Sequence, residues 1–204
     1  TRGRAPAAAS AGITSGGARC PYPPTAEHAC PTTSGQTVAM PGFHIHTLTE
    51  DDDLDAFGQI VLDSYLALPD MPHEPEYEAE LVDVAARVRD GVVLGAFSGQ
   101  TPAGCVTFVA DASSPHAEGL LPGESSFRML GVDTAAQGRG IGEALTRHCL
   151  DDATRIGSSA VFIYTGTWMH TAHRLYRRLG FEFVPDRDWV LDPTIHLLGM
   201  RRSL

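Results

Sequence analysis

The stretch GVDTAAQGRGIGEALTRHCL, residues 131–150, constrains the fold more than any other part of the chain. An apolar alternation ends at Val132 and a turn follows with glycines at 138, 140 and 142. The chain then enters a pattern in which Ile141, Leu145, Cys149 and Ala153 share one helical face. The first amides of a helix have no intrahelical acceptor, and the helix dipole adds positive potential there. Glycines let those amides approach an anion with no side chain between. Arg139 brings a charge-assisted donor, and two phosphates in tandem suit the turn. A tight strand-to-helix turn without a ligand makes the same demands, so QGRGIG alone leaves both readings open. Two other phosphate loops do not fit. A Walker A loop needs G-K-[ST], and the chain has no lysine. The G-x-G-x-x-G dinucleotide fingerprint needs a parallel strand–helix–strand run and an acidic ribose residue after it, and neither follows.

Around this turn the elements read in order. Phe43–Leu48 alternates as a first strand. Thr49 is a candidate N-cap for an acidic-first helix running to about residue 68. Pro69, Pro72 and Pro75 break the chain, and Glu76–Arg89 reads as a second helix. Val92–Phe97 and Gly104–Val109 are strands joined by hairpin chemistry at Ser98-Gly99-Gln100. Asp111–Gly123 is a loop and Ser126–Val132 a fourth strand. The helix Ile141–Ile156 stops at Gly157. Ala160–Thr165 is a fifth strand, Met169–Leu179 a helix closed by Gly180, and Phe181–Val184 with Leu191–Met200 supplies the last strand material. Antiparallel hairpins followed by strand–helix–strand–helix–strand define a mixed α/β sheet.

Residues 1–39 differ from the rest. They are rich in Ala, Gly, Pro, Ser and Thr with almost no large apolar side chains, and so predict a disordered low-complexity tail before a folded domain over 40–204. Met40, followed by the strand-like FHIHTL, is a candidate natural start. The formal net charge is -10, and all fifteen basic residues are arginines. An acidic chain is a poor broad binder of nucleic acid. No apolar run reaches the ~18 residues of a membrane span, and no continuous apolar stretch marks a signal peptide. Cys105 and Cys149 lie in apolar patterns as buried thiols, Cys20 and Cys30 fall in the tail, and no C-x-x-C pair exists. A cytoplasmic location is the expectation. His44 and His46 share a strand face without a third ligand, so no metal is expected.

Arg128–Leu145, R-M-L-G-V-D-x-x-x-Q-G-R-G-I-G-E-A-L, resembles the acetyl-CoA signature of the GCN5-related N-acetyltransferases. A-H-R-L-Y-R-R-L-G-F, Ala172–Phe181, resembles the second signature of that family at the expected distance downstream. The likeness in element order covers about residues 41–204. It implies a mostly antiparallel central sheet flanked by helices and splayed between the fourth and fifth strands. It also implies acetyl-CoA as co-substrate, with no metal. The free backbone of Leu130, Gly131 and Val132 would hold the pantetheine arm. Gln137 and the amides of Gly138, Arg139, Gly140, Ile141, Gly142 and Glu143 would hold the pyrophosphate.

Acetyl transfer to an amine needs a neutral amine, donors for the oxyanion and a proton for the leaving thiolate. The resemblance places the proton donor at Tyr176, which also shares a helical face with Ala172, Leu175 and Leu179 and so fits a core position. It offers Glu124, just before the fourth strand, as the base; a solvated strand-end acid is the other reading. Tyr164 stands where some relatives carry a glutamate, and Met169 where many carry an asparagine that contacts the pantetheine. Asp186 and Asp188 flank Arg187 beside Trp189, in a region that borders the acceptor in relatives. Two carboxylates and an indole suit an amine cation. An exposed loop with a core tryptophan is the alternative. The expected activity is transfer of acetyl from acetyl-CoA to a primary amine of a small molecule or peptide, directly within a ternary complex. A homodimer is compatible with it. A non-catalytic acyl-CoA-binding or sensing domain is the competing function.

Overall fold

A computed structural model describes residues 38–40 and 42–204. The sequence-predicted tail lies outside them over residues 1–37, as do Cys20 and Cys30. Its C-terminal limit changes: Val38 and Ala39 belong to a short strand, β1 (Val38–Met40), which pairs antiparallel with β2 (Phe43–Thr47). The folded part therefore begins at least two residues before Met40.

The chain continues through α1 (Leu54–Leu66), α2 (Pro75–Val82), α3 (Val84–Asp90), β3 (Val92–Ser98), β4 (Thr101–Val109), β5 (Glu124–Val132), α4 (Ile141–Arg155), β6 (Ala160–Gly166), α5 (His170–Arg178), β7 (Glu182–Phe183), β8 (Trp189–Asp192) and β9 (Ile195–Ser203). The sheet order is β1-β2-β3-β4-β5-β6-β9-β7, with β8 also on β9. Every pairing is antiparallel except β5–β6. This is the mixed, mostly antiparallel sheet expected.

Two helix boundaries differ from the sequence reading, and carboxylates explain both. Asp53, not Thr49, caps α1 by accepting from the Ala56 amide, while Thr49 bonds Asp52 in the preceding turn. The single helix expected over 76–89 is two. Asp83 leaves the helical region at ψ 67, and its side chain accepts from the Ala86 amide, restarting the chain as α3.

The helices cover the two faces of the sheet. On one face α4 and α5 bury Ile141, Leu145, Cys149, Ala153, Tyr176 and Leu179 against Phe127, Val161 and Ile163. On the other, α1–α3 bury Phe57, Val61, Leu81 and Val84 against Val93, Cys105 and Met129. The strand between these layers that matters most is β5. It pairs with β6 only at Glu124↔Ala160 and Ser125↔Val161, and beyond Ser125 the two strands part. Toward β4 its ladder shifts register between Cys105 and Thr107, opposite Met129, whose φ is +53. A bulge of this kind turns a strand away from its neighbour. The expected splay between the fourth and fifth sequence-predicted strands is this β5–β6 gap.

Candidate active site: a coenzyme turn and an acceptor groove

The turn before α4 presents backbone. Gly138 and Gly140 have φ of +75 and +85, and a Cβ added at either would meet nothing within 4 Å. The positive φ, together with open space, is what keeps both positions glycine. The first intrahelical bond of α4 runs from the Ala144 amide to the Gly140 carbonyl, so the amides of Ile141, Gly142 and Glu143 have no acceptor within the helix. Gln137 donates through Nε2 to the Val132 carbonyl at 3.3 Å, tying the turn to the end of β5. The Glu143 carboxylate is drawn off by Arg147 and Arg178, and these two charges hold it below the usual carboxylate range.

Arg139 departs from the expectation. Its guanidinium donates to the Gly42 carbonyl at 3.0 Å and lies 3.3 Å from the Ser98 hydroxyl, fastening the β1–β2 turn and the β3–β4 hairpin. What the turn offers an anion is therefore its amides rather than this side chain. Leu130, Gly131 and Val132 form the splayed end of β5. Their β4 side is paired, at Cys105↔Gly131 and Gly104↔Val132, and their β6 side is not. Gly131 is required by α1: a Cβ there would come within 2.7 Å of the Val61 Cα and the Ser64 hydroxyl.

Tyr176 projects from α5 onto β5 within the core of the α4–α5 face. Its ring stands edge-on to Phe127 of β5, 5.6 Å away. It is 6% exposed, and burial first, then the Cys149 thiol, pushes its phenol well above the ordinary value. Tyr65, on α1 across the sheet, is raised by burial and by the charges of Tyr77 and Tyr176. Met169 fills the position where an amide side chain was sought. Its sulfur accepts from the Thr165 hydroxyl at 3.5 Å and the Gly166 amide at 3.4 Å, so it closes the end of β6.

Glu124 does not have the surroundings of a base. It is 4% exposed, and both its oxygens are occupied. Arg187 reaches them at 2.9 and 2.8 Å, Arg201 at 2.9 Å and the Leu121 amide at 3.1 Å. Burial opposes its ionisation, but the hydrogen bonds from Arg187, Leu121 and Arg201 win and leave its pKa lowered. It also lies in the one part of β5 that is still paired with β6. With both oxygens already bonded, Glu124 presents no free oxygen to an incoming group.

An open groove is lined by Glu118, Gly119, Tyr164, Asp186, Arg187, Asp188 and Trp189. Three of the residues sought in the sequence meet here. Tyr164 rises from β6 and sits 5.8 Å, ring to ring, from Trp189 of β8. Trp189 is 40% exposed and not a core residue. Asp186 lies in a short turn, Pro185–Arg187, before β8. Asp188 uses one oxygen to accept from the Gly199 amide at 2.8 Å. Glu118 and Arg128 were passed over by sequence reasoning. Glu118 lies in a segment legible only as loop, and nothing in the local sequence marks it.

Among the described residues no group of three or more His, Cys, Asp or Glu is placed to hold a metal ion. His44 and His46 instead stack on Phe97, at 5.3 and 4.5 Å. No helix among them is long and apolar enough to cross a membrane.

The mixed, mostly antiparallel sheet that parts between β5 and β6, with a glycine turn leading from β5 into α4, is the fold that the two signatures implied. The family model of the acetyltransferase (GNAT) family matches residues 54–181, and the chain belongs to that family. Its structure is similar to a GCN5-related N-acetyltransferase from Kribbella flavida, at TM-score 0.60 and 23% identity over 80% of this chain and 99% of that one. It is also similar to the PaiA N-acetyltransferase of Thermoplasma acidophilum in complex with coenzyme A, at TM-score 0.61 and 14% identity over 79% and 99%. In sequence, mycothiol acetyltransferase of Mycolicibacterium vanbaalenii is 48% identical over 61 residues, 28% of this chain. That match spans only 20% of the relative's own length.

Proposed function

We propose that the chain is an acetyl-CoA-dependent N-acetyltransferase that passes the acetyl group directly to a primary amine in a ternary complex. The observation that carries this reading is the continuity of two features. The amides of residues 141–143, without an acceptor inside α4, follow the unpaired β6-side edge of β5, and Tyr176 packs on Phe127 of that same strand. The amides of Gly138 to Glu143 would take the diphosphate. The free edge of Leu130–Val132 would pair with the pantetheine arm, and backbone near Leu130 would donate to the thioester oxygen as it gains charge.

Tyr176 fits the role of proton donor to the leaving sulfur. Burial keeps its phenol protonated, so it is always a donor. The same burial makes a free phenolate costly. Its proton therefore moves to sulfur only as another replaces it from the nitrogen that has just bonded to the acetyl carbon. The balance closes: the ammonium form of the acceptor loses one proton before attack and a second afterwards, and the sulfur gains one as the C–S bond breaks. Glu124 is a scaffold group here, holding Arg187 and β9 in place. The acceptor belongs to the small-molecule or peptide amines, and the cytoplasm is where we place the reaction.

A non-catalytic acyl-CoA-binding domain would need the turn but no donor in the gap. Replacement of Tyr176 by phenylalanine separates the two. Coenzyme A affinity, read by calorimetric titration, stays the same, while thiol release with an amine acceptor falls by about 10²–10⁴. Turnover unchanged in that variant, under conditions where chemistry limits the rate, would return Tyr176 to a packing role.

A further inference from the structure

The break between α2 and α3 is closed by an arginine that lies inside the protein. Arg87 is 2% exposed. Its terminal nitrogens donate to carbonyls in the last turn of α2, Nη1 to Glu80 and Nη2 to Leu81, the latter at 3.1 Å. A helix end offsets only about half a unit of charge. Burial holds the Arg87 pKa below its ordinary value, and the groups around it compensate little. Burial raises the Cys105 thiol to about 12 and the Tyr65 phenol well above its usual range, so both stay neutral. Arg128 is a second cation, and Asp83 spends its carboxylate on the Ala86 amide.

Two buried donors in this layer have no hydrogen-bond partner among the described residues. They are Nε of Arg87 and the hydroxyl of Thr107, a residue 1% exposed. A third orphaned nitrogen, His116 Nε2, faces Asp90 at 3.9 Å. Strand register brings the first two together. Thr107 lies opposite Val93 of β3, which packs under α1–α3, so its side chain faces the same layer. Its β5 partner, Arg128, comes within 3.9 Å of Glu80 on α2 from that face. Cys105, beside the Arg87 guanidinium, stands two residues before Thr107 on β4. Two strand residues span about 7 Å, close to twice a hydrogen-bond length of ~3 Å. One atom can therefore serve both donors. Buried polar groups are nearly always bonded, and an uncompensated buried charge is costlier still. A buried water seeks about three partners and would leave the charge of Arg87 as it is. An anion accepts from both donors and cancels that charge. The walls are apolar, with Leu81, Val84 and Val93 each 0% exposed. An oxyanion would bring them oxygens that no donor meets, whereas a monatomic ion would not.

We infer that Arg87 and Thr107 bind a chloride-sized monovalent anion beneath the α2–α3 break, at a site separate from the coenzyme turn. The ion accepts from Arg87 Nε and the Thr107 hydroxyl and neutralises the guanidinium. It fastens the break to β4 and makes the stability of this helical layer depend on halide. The net charge of -10 does not oppose it, because the charges nearest the site are those of Arg87 and Arg128.

Thermal melts of the full chain at constant ionic strength test this, with sodium gluconate replaced stepwise by sodium chloride or bromide. The wild type is compared with Thr107→Val, which keeps the shape of the side chain and removes the hydroxyl. Without halide the variant melts at or above the wild type, because a buried hydroxyl without a partner is a cost. At chloride about ten times its dissociation constant the wild type gains about 3–6 °C, and the gain saturates. The variant gains almost nothing, so the order of the two melting temperatures reverses. Effects of halide on bulk solvent act on both proteins alike and do not saturate. Crystals of the wild type grown in bromide are expected to show an anomalous peak between Arg87 Nε and Thr107 Oγ1. An equal halide response in the two proteins overturns the assignment, as does an ordered water at that point in the bromide crystals.

Discussion

The proposed coenzyme turn and acceptor groove offer a ligand opposite kinds of contact. The turn is one continuous run of chain, residues 137–143, and what it offers is backbone N–H. The groove is assembled from side chains of the β4–β5 loop, β6, the turn at Pro185–Arg187 and β8, which lie far apart in sequence. A site made of amides tolerates a change of neighbouring side chains and fails when a Cβ or a charge intrudes. A site made of side chains fails when one of them, or the ion pair that positions it, is removed. Both border β5: the turn follows its end, Tyr176 packs on its Phe127, and Glu118 of the groove pairs with its Arg128.

The largest effect should come at that junction. Tyr176→Phe lowers turnover by about 10²–10⁴, measured by thiol release, and leaves coenzyme affinity alone. If both fall together with the melting temperature, the residue belongs to the core rather than to the chemistry, and the junction between the two regions is lost as a concept.

Next comes the scaffold beneath the groove. Glu124→Gln strands Arg187 and Arg201 without their shared anion and should cost about 3 kcal/mol of stability, read as a lower denaturant midpoint at pH 7. Coenzyme affinity, which rests on amides of another element, should change little. The pH dependence has a definite sign. The folded-state pKa of Glu124 is depressed, so its contribution is complete above the unfolded value of ~4.3 and is lost as pH falls through the lower folded value. The gap in stability between wild type and variant should therefore close in acid; a constant gap down to low pH would show that packing, not charge, is at stake.

The coenzyme turn itself separates strain from charge. Gly140→Ala adds a methyl into open space at φ +85, so its only cost is left-handed backbone strain of about 1–2 kcal/mol. Gly140→Asp adds a carboxylate facing the diphosphate and should weaken coenzyme A binding by a further factor of about 10 or more. Equal affinities of the two variants by calorimetry would mean that the anion does not sit at this turn.

The smallest effect is expected at the N-terminus. Deleting residues 1–37 should leave stability and coenzyme affinity within about 0.5 kcal/mol, whereas extending the deletion through Met40 also removes the edge strand β1 and lowers the melting temperature measurably. Thermal melts of the two truncations check this directly. A large loss from the shorter deletion would show that the composition of that segment misleads.

The legibility of the two regions follows from how each is built. Gly138, Gly140 and Gly142 before the Ile141–Leu145–Cys149 stripe announce a strand-to-helix anion site, because backbone conformation and helix-end chemistry are local properties. The sheet class was equally legible, since alternation and helical periodicity are local too. Asp83 and Asp53 show where locality ends. A carboxylate that caps one helix rather than extending another is decided by a single hydrogen bond, and a periodic pattern does not reveal it. Arg139 read as a phosphate ligand because of its neighbours in sequence, yet Gly42 and Ser98, far from it along the chain, took its guanidinium.

By itself the sequence determined the glycine turn, the helix that follows it and the place of Tyr176 on α5, each through residues within a few turns of one another. Only the tertiary structure decided which carboxylate stays open to solvent. Glu124 and Glu118 lie six residues apart and are chemically the same. Folding set one between Arg187 and Arg201 in the interior and the other, still part-exposed, beside Arg128 at the mouth of the splay. The physical reason is that a carboxylate's proton affinity and reach depend on the solvent and charges around it, and those are brought together by strands and loops that the local sequence does not name.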